Sequence, residues 1–373
     1  MRHIDITAAT WSYICEPGDM LAGLLRKQLG SELALQEIQT TKDAKEILAL
    51  LPKDKFRAPM FISSLADSLE CWRRRLKNNR IEQAVEVLLE HNGQLLTPQS
   101  RYWPPQLADL GHGEPPALWI FGNANQLQEP TVSVVGARLA SEYGLGVTRD
   151  LVSYLVTRGY SIVSGGALGI DAAAHESALE RKGKTIAVMA GGIDRLYPPR
   201  NIELFSQIRQ QGLLMSEVAP GVAPARWRFL QRNRLIAALG QATLVIEAGY
   251  RSGSINTAGH ANDLDRPVGA VPGPINSVRS AGCHRLIRER RAELISTPSD
   301  LLELLAVEEP EEQQQFNLTS HEIRALDALQ YTEQSIEEIA RNSGLTIAEA
   351  EFAVARLTNQ SLMTRTSKGW LRS

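Results

Sequence analysis

From about residue 130 onward, short apolar runs alternate along the chain with longer segments in which apolar positions recur every three or four residues. Apolar runs without polar alternation are typical of strands buried on both faces of a parallel sheet, and the longer segments have the length and periodicity of helices. The alternation predicts βαβ units around a doubly wound parallel sheet. The predicted strands are TVSVVGA, SIVSG, TIAVMAGG, LLMSE, ATLVIEAG, VGAVPG and AELIST.

The parts of the chain on either side of this region have different patterns. Residues 1–100 predict several short amphipathic helices without strand periodicity, and a proline-rich stretch with aromatic residues then leads into a sheet domain at 101–306 as an ordered connector. An acidic, glutamine-rich stretch at 307–316 predicts a linker. Residues 317–373 should form a separate small domain.

That last segment predicts a winged helix-turn-helix domain. Helical patterns lie on both sides of Gly344, and the following LMTRTSKGWLR resembles a hairpin. The second helix carries Glu349 and Glu351 and only Arg356 as a cation, whereas a helix in the major groove needs cations near the phosphates. Protein contact, a structural role and DNA binding all remain open for this domain.

Glycine-rich or loosened turns follow five of the predicted strands. In an open parallel sheet the carboxyl ends of the strands share one edge, where ligands bind, so these turns should meet on one rim. The turn in SIVSGGALGIDAAAH approaches a dinucleotide fingerprint, but Ser164 stands at the first glycine position. The next strand also ends without the ribose-binding acid, because Asp194 lies past its end. The rim predicts phosphate binding without specifying a nucleotide; its turns are residues 136–138, 164–169, 191–201, 247–258 and 272–277.

The composition is that of an ordinary globular protein, with 373 residues, 43% hydrophobic and 22% charged. The three cysteines are too widely spaced for a disulfide framework or a zinc site, and no His-Glu-x-x-His occurs. The chain has neither a basic-then-apolar leader nor an apolar stretch of membrane-spanning length. We therefore expect a cytoplasmic protein with no metal, no cofactor and no membrane partner.

Because the net charge is only −2, binding to a polyanion would have to come from local groups of cations. RWRFLQRNR holds four arginines and no acid, with Trp227 and Phe229 between them. RSAGCHRLIRERR holds five arginines and only Glu289 against them. A solvated helix face explains the second group most simply, whereas the interleaved aromatics of the first indicate contact with phosphates and bases.

The motifs together resemble the DNA-processing protein family DprA, also called Smf. The resemblance is collinear over roughly residues 100–297 and is carried by VGAR with SEYG, SGGALGIDAAAHESAL, TIAVMAGGIDRLYPPRN, LLMSEVAPG, FLQRNRLIAALG, VIEAGYRSGSINTA, RPVGAVPG and SAGCHRLI. It implies an extended Rossmann-like fold with a helical N-terminal region and a C-terminal winged helix. It also implies a non-catalytic protein that binds and protects incoming single-stranded DNA and helps to load a RecA-type recombinase during natural transformation.

Homodimer formation is implied as well, and the apolar, mostly uncharged segments VIEAG and VGAVPG suggest that it uses the sheet domain. The sequence departs from the family where Leu230 and Gln231 replace a common proline, and where His284 replaces a usual asparagine.

The resemblance places the nucleic-acid contacts on positions of the rim. Phosphates can be held by arginines and by backbone N–H groups at helix N-termini, while a base stacks on Phe229. No catalytic and no metal-binding residue is expected. The candidate DNA- and phosphate-binding residues are Gly136, Arg138, Ser164, Gly165, Gly166, Arg200, Phe229, Arg232, Asn233, Arg234, Ser252, Gly253 and Thr257.

Two other function classes remain as alternatives. A related nucleotide-binding enzyme, a Rossmann-like nucleoside-monophosphate phosphoribohydrolase, would need a glutamate three residues after Thr257, which this chain lacks. A ligand-sensing winged-helix regulator would rest on the C-terminal domain alone. Structural roles are expected for three further residues. Glu247 should be an ion-pair partner or N–H acceptor, Asp171 should complement a helix dipole, and His175 should be packed or hydrogen-bonded. For Phe229 the alternative is burial in the core.

Overall fold

The computed structural model describes residues 4–40, 42–51, 59–307, 318–329, 333–359, 362–366 and 369–372. The chain divides into two compact units, Met1–Glu308 and Glu309–Ser373. Nearly all of the predicted linker at 307–316 lies outside the described residues. The domain boundaries proposed near residues 100 and 306 stay predictions.

The first unit begins with a bundle of short helices, as predicted for the N-terminal region. Asp5, Asp19 and Asp43 begin three of them, because each carboxylate accepts backbone N–H groups of the first helical turn. The rings of Trp11 and Trp72 meet edge to face in the bundle core, with centroids 6.1 Å apart. The helices are α1 (Ile6–Ile14), α2 (Met20–Leu29), α3 (Ser31–Gln39), α4 (Ala44–Leu48), α5 (Pro59–Lys77) and α6 (Ile81–Glu90).

A nine-stranded sheet forms the centre of the first unit, in the order β1-β2-β6-β5-β4-β3-β7-β8-β9. All seven strands predicted from the apolar runs are present and pair in parallel. The pairs Val135 with Val245 and Ser164 with Ala187 bring the carboxyl ends of four strands to one level. The parallel strands are β3 (Thr131–Val135), β4 (Ser161–Ser164), β5 (Thr185–Val188), β6 (Leu213–Ser216), β7 (Ala242–Val245), β8 (Val268–Ala270) and β9 (Glu293–Leu294).

Two further strands extend the sheet beyond the prediction. β1 (Gln94–Leu96) and β2 (Leu118–Gly122) pair antiparallel with each other, and β2 pairs antiparallel with β6. The expectation of no strand before residue 100 and a mere connector after it was therefore wrong. β1 has only three residues, and the apolar run of β2, LWIFG, directly follows the proline-rich stretch that predicts a connector.

Helices cover both faces of the sheet, which confirms the doubly wound fold. These helices are α7 (Glu142–Thr157), α8 (Ile170–Glu180), α9 (Ile202–Gln211), α10 (Arg226–Leu239), α11 (Gly253–Asp263), α12 (Ala281–Arg288) and α13 (Pro298–Leu304), with 3₁₀ turns at Pro105–Gly113, Ala124–Gln128 and Pro199–Asn201. On one face α10, α11 and α12 pack against strand residues such as Val135, Val163 and Val245. On the other face α7, α8, α9 and α13 pack against the alternate strand residues, such as Val134 and Leu214.

The second unit has the predicted winged helix-turn-helix plan. Gly344 has φ of +66°, a left-handed conformation that ends one helix and allows the tight turn into the next. Gln334 adds a single bridge to the hairpin through Trp370. The elements are α14 (Ser320–Ala328), α15 (Ile336–Ser343), α16 (Ile347–Asn359), β10 (Met363–Arg365) and β11 (Trp370–Arg372).

Arg356, the cation of α16, forms an ion pair with the buried Glu322 of α14 at 2.8 Å. It is therefore already engaged within the second unit, while Phe352 of the same helix is 67% exposed.

Across the described parts of the chain, no helix has both the length and the apolar character that crossing a membrane requires.

Candidate nucleic-acid interface

A pocket of about 270 Å³ opens at the carboxyl end of β3, between the first turns of α8 and α11 and one face of α10. This is the rim on which the sequence placed the glycine-rich turns. Eight of the thirteen candidate residues line it, together with Asp171, for which the sequence suggests a helix-dipole role or, in a phosphate site, the orientation of a neighbouring donor. The candidates at the pocket are Gly136, Arg138, Phe229, Arg232, Asn233, Ser252, Gly253 and Thr257.

Helix α10 supplies one wall of the pocket. Phe229, Arg232, Asn233 and Ile236 follow the spacing that puts residues on one face of a helix, and all four line the pocket. Phe229 is half-buried and is absent from the buried core, so the alternative of a core aromatic residue is wrong. An aromatic face thus lies beside the pocket, where it can receive a base.

The side chain of Arg232 is buried below the pocket and joins two strand ends. Its Nη1 donates to the carbonyl of Gly165, after β4, at 2.8 Å and to that of Val188, at the end of β5, at 2.5 Å. Burial lowers the pKa of Arg232 to about 10, which still leaves the guanidinium charged at neutral pH. A Cβ at position 165 would lie 2.2 Å from the guanidinium nitrogens, so this contact requires glycine there.

Asp171, on the first turn of α8, places a carboxyl group in the glycine turn, where its Oδ2 accepts the backbone N–H of Ala167 at 3.4 Å. Burial raises its pKa, and the Arg232 charge and the backbone N–H groups of Ala167, Gly136 and Gly165 oppose that rise. The Ala167 N–H of the turn is therefore directed at an internal acid.

Arg138 is exposed beside the pocket, and its guanidinium carbon lies 5.7 Å from the centroid of the Phe229 ring. The ring of Tyr197, 44% exposed, meets Phe229 at a centroid distance of 5.5 Å and an angle of 60°. Tyr197 was missed as a candidate, although its place in the rim turn 191–201 was a usable signal. A cation and two aromatic rings are thus adjacent on one surface, which suits a phosphate next to a base.

The first turn of α11 forms the opposite wall. Ser252 caps this helix by accepting the N–H of Ser254, and Thr257 lies buried one turn further on. The Asn233 amide spans the pocket from α10, donating to the Gly253 carbonyl at 3.3 Å and to Oδ1 of Asn256 at 3.1 Å. The positive end of α11, unlike that of α8, has no acid in its first turn and favours an anion.

Five candidate residues lie outside the pocket. Ser164, Gly165 and Gly166 are buried beneath it, and the Ser164 hydroxyl donates to the Val134 carbonyl at 2.6 Å. The serine at the first glycine position of the fingerprint is thereby explained as a tie between neighbouring strands. Arg200 is exposed on the turn after β5, on the same rim but away from the pocket lining.

Arg234 points away from the pocket. Its Nη2 donates to both carboxylate oxygens of Glu217 at 2.6 Å, and both side chains are about 7% exposed. Because residues 232 and 234 lie about 200° apart around a helix, they cannot share a face, and this spacing could have excluded Arg234 beforehand. Arg234 therefore forms a buried ion pair that links α10 to the segment after β6.

The second arginine group is partly engaged at the surface. Arg279 donates to the Leu139 carbonyl at 2.8 Å, and Arg285 lies over the Tyr250 ring at 4.9 Å and pairs with Glu289. A solvated helix face remains the simplest description of this group.

Glu247 and His175 have structural roles. Glu247 accepts the N–H and the hydroxyl of Ser141 at the start of α7, as an N–H acceptor and not as a partner of a cation. His175 is fully buried, with Nδ1 2.7 Å from the Thr185 hydroxyl. Within the described ranges no group of three or more His, Cys, Asp or Glu side chains could hold a metal ion.

Comparison with known proteins agrees with this architecture. A putative DNA processing protein DprA of Mycobacterium tuberculosis is 38% identical over 371 residues, covering 93% of this chain and 89% of that protein. Protein Smf of Escherichia coli is 39% identical over 226 residues, or 60% of each chain.

Two solved structures share the fold. That of DNA processing protein A from Streptococcus pneumoniae matches with a TM-score of 0.61 and 30% identity, covering 80% of this chain and 96% of that one. A Helicobacter pylori DNA processing protein A, described in its single-stranded DNA binding mode, matches with a TM-score of 0.52 and 31% identity, covering 57% of this chain and 96% of that one. The family model for DNA recombination-mediator protein A matches residues 94–306. The chain therefore belongs to the DNA recombination-mediator protein A family, the DprA or Smf proteins.

Proposed function

We propose that this protein binds single-stranded DNA at the pocket between α8, α10 and α11. The observation that carries the proposal is the group of Arg138, Phe229 and Tyr197, in which a cation and two aromatic rings are adjacent and partly exposed. Stacking and phosphate contacts tolerate any base, so binding should show little sequence preference. The single-stranded DNA binding of the Helicobacter pylori relative supports the same assignment.

The pocket separates phosphate and base contacts. Arg138 and the first turn of α11 can attract a phosphate, while the rings of Phe229 and Tyr197 can receive a base. Asp171 stands in the first turn of α8 and accepts the Ala167 N–H, whereas the first turn of α11 has no acid, so α11 is the helix end that favours an anion. Duplex DNA hides its base faces and should bind more weakly.

The finer role that we propose is recombination mediation in the cytoplasm. The protein would protect incoming single strands during natural transformation and help to load a RecA-type recombinase onto them, acting as a homodimer and without catalysis of its own. The support is membership of the recombination-mediator family. The apolar segments first considered for dimerisation do not support it, because Val245, Ala248 and Val271 are buried within the monomer.

Fluorescence anisotropy with a labelled oligothymidine a few tens of nucleotides long tests the DNA proposal. We expect binding that is tighter than to a matched duplex and that weakens as salt rises. Salt-insensitive or absent binding would remove the hypothesis. If a mononucleotide displaces the labelled oligonucleotide even when the mononucleotide is the less abundant of the two, the nucleotide-binding alternative is favoured instead.

A further inference from the structure

Helix α10 has a second face that is held by the N-terminal helices. Its pocket face carries Phe229 and Arg232, and its other face meets the loop at residues 15–19 between α1 and α2. The residues on this second face are Trp227, Arg228, Gln231 and Arg234.

The carboxylate of Glu16 is the main polar contact from that loop. It accepts Nε and Nη2 of Arg228, each at 2.8 Å, and Nε1 of Trp227 at 3.2 Å. Arg75 of α5 holds the same carboxylate from the N-terminal side and also donates to the Ile14 carbonyl. Glu16 is thus fixed in the bundle and binds two successive residues of the first turn of α10.

Gly18 lets the loop approach α10 closely. It has φ of +76°, and a Cβ at this position would lie 2.9 Å from Oε1 of Gln231 and 3.0 Å from Nε of Arg234. A larger residue would be strained at this positive φ, and the Gln231 and Arg234 side chains would have to give way. The loop and the outer face of α10 therefore fit together over two turns of the helix.

The first turn of α10 has little other support. Its N-cap residue, Ala225, provides no side-chain cap, and its first turn has no acidic residue. Arg228 is the link from this turn to Glu16, and it also donates to the Ala223 carbonyl at 2.7 Å. Phe229 follows directly in the chain, so the direction of its ring depends on how this turn is held.

We propose that Glu16 is a positioning residue for the DNA site, holding the first turn of α10 so that the Phe229 ring stays beside Arg138 and the pocket. The inference rests on the proposed binding of single-stranded DNA at that pocket. The N-terminal helices then contribute to DNA affinity through α10 and without contacting a phosphate.

The test compares full-length Glu16→Ala with wild type in oligothymidine anisotropy over a salt series. We expect affinity about three- to tenfold weaker, less than the full loss of a stacked base, with an unchanged slope of log affinity against log salt. An unchanged slope separates positioning from a phosphate contact. Glu32→Ala, which removes an exposed acid of α3, is the matched control and should bind like wild type.

A double-mutant cycle tests whether Glu16 acts on DNA affinity through the Phe229 ring. In a Phe229→Ala background Glu16→Ala should cost little further affinity, because the ring that it positions is gone. Arg228→Met should reproduce the weakening from the α10 side while leaving the N-terminal bundle intact. Stoichiometric titration gives the fraction of each variant that is active. A variant that is only partly unfolded would show a lower active fraction with unchanged affinity, and that result would overturn the inference.

The remaining outcomes separate the inference from the function on which it rests. If Arg138→Ala weakens binding and Glu16→Ala and Arg228→Met do not, the positioning role is wrong while the DNA site stands. Equal effects of Glu16→Ala with and without Phe229 also contradict it. If neither Arg138→Ala nor Phe229→Ala changes affinity, the proposed site itself is wrong.

Discussion

The guanidinium carbon of Arg138 lies 5.7 Å from the centroid of the Phe229 ring, so an exposed arginine is held over an aromatic face at the mouth of the pocket. The contact restrains a flexible side chain while leaving its N–H groups available to a ligand. One phosphate contact and one stacking contact are thereby placed next to each other, and each can be removed separately.

Replacing Arg138 by alanine should weaken single-stranded DNA binding and lower the salt dependence. Loss of one phosphate contact is expected to reduce the slope of log affinity against log salt by about 1. Salt titrations by anisotropy measure both quantities. Arg181→Ala, at an exposed arginine before β5 and hence at the opposite edge of the sheet, is the control and should leave the slope as in wild type.

Replacing Phe229 by alanine should weaken binding through lost stacking, by about 1–3 kcal/mol for one base. The salt slope should stay unchanged because no charge is removed, which distinguishes this variant from Arg138→Ala. Phe229→Tyr keeps a ring and should retain most of the affinity. Equal affinity of Phe229→Ala and wild type would show that no base stacks at this position.

Replacing Arg234 by alanine should destabilise the fold, although the sequence had placed this residue in the DNA site. It would leave Glu217 buried without its partner, and breaking a buried ion pair in this way costs about 3–5 kcal/mol. Chemical denaturation measures the free energy of unfolding. At temperatures where Arg234→Ala is folded, its active fraction should bind DNA nearly as wild type does. Arg138→Ala should show the opposite result, with weaker DNA binding and an unchanged free energy of unfolding.

His175 should make stability fall as the pH drops from about 6.5 toward 3. Burial lowers its folded-state pKa to about 3, with a further lowering by the Arg232 charge, whereas the unfolded chain takes up the proton near 6.5. The unfolded state therefore binds one more proton in this window, so the stability is fully present above pH 6.5 and decreases below it. Denaturation at several pH values should show a slope for wild type that exceeds that of His175→Gln by about 1.4 kcal/mol per pH unit. Parallel curves would contradict the assignment.

The sequence predicted the parallel sheet well because its strands are buried on both faces. Runs such as TIAV and ATLV have no charged residue and one threonine each, and each became a strand of the core. β1 was missed because three residues are too few to show a pattern, and β2 because its apolar run, LWIFG, follows prolines that favoured a connector. That β2 pairs antiparallel with β6 depends on a strand far away in the chain.

The site was predicted in outline, since strand ends gather on one edge whatever the details. What the chain alone could not show is which groups are already occupied. The Ala167 N–H of the glycine turn is engaged by Asp171, and Arg232 donates to the carbonyls of Gly165 and Val188 from within. Such internal partners depend on side-chain packing. Helical spacing, by contrast, was sufficient to separate Arg234 from Arg232.

Helix α10 contacts the DNA pocket on one face and the N-terminal loop on the other, which limits how chimeras between this protein and its relatives can be built. The family model begins at residue 94, yet the loop that holds the outer face of α10 lies at residues 15–19. A chimera that exchanged only the N-terminal helices would set a foreign loop against Arg228, Gln231 and Arg234. The natural unit of exchange is the N-terminal bundle together with the outward residues of α10, although some 200 positions separate them in the chain.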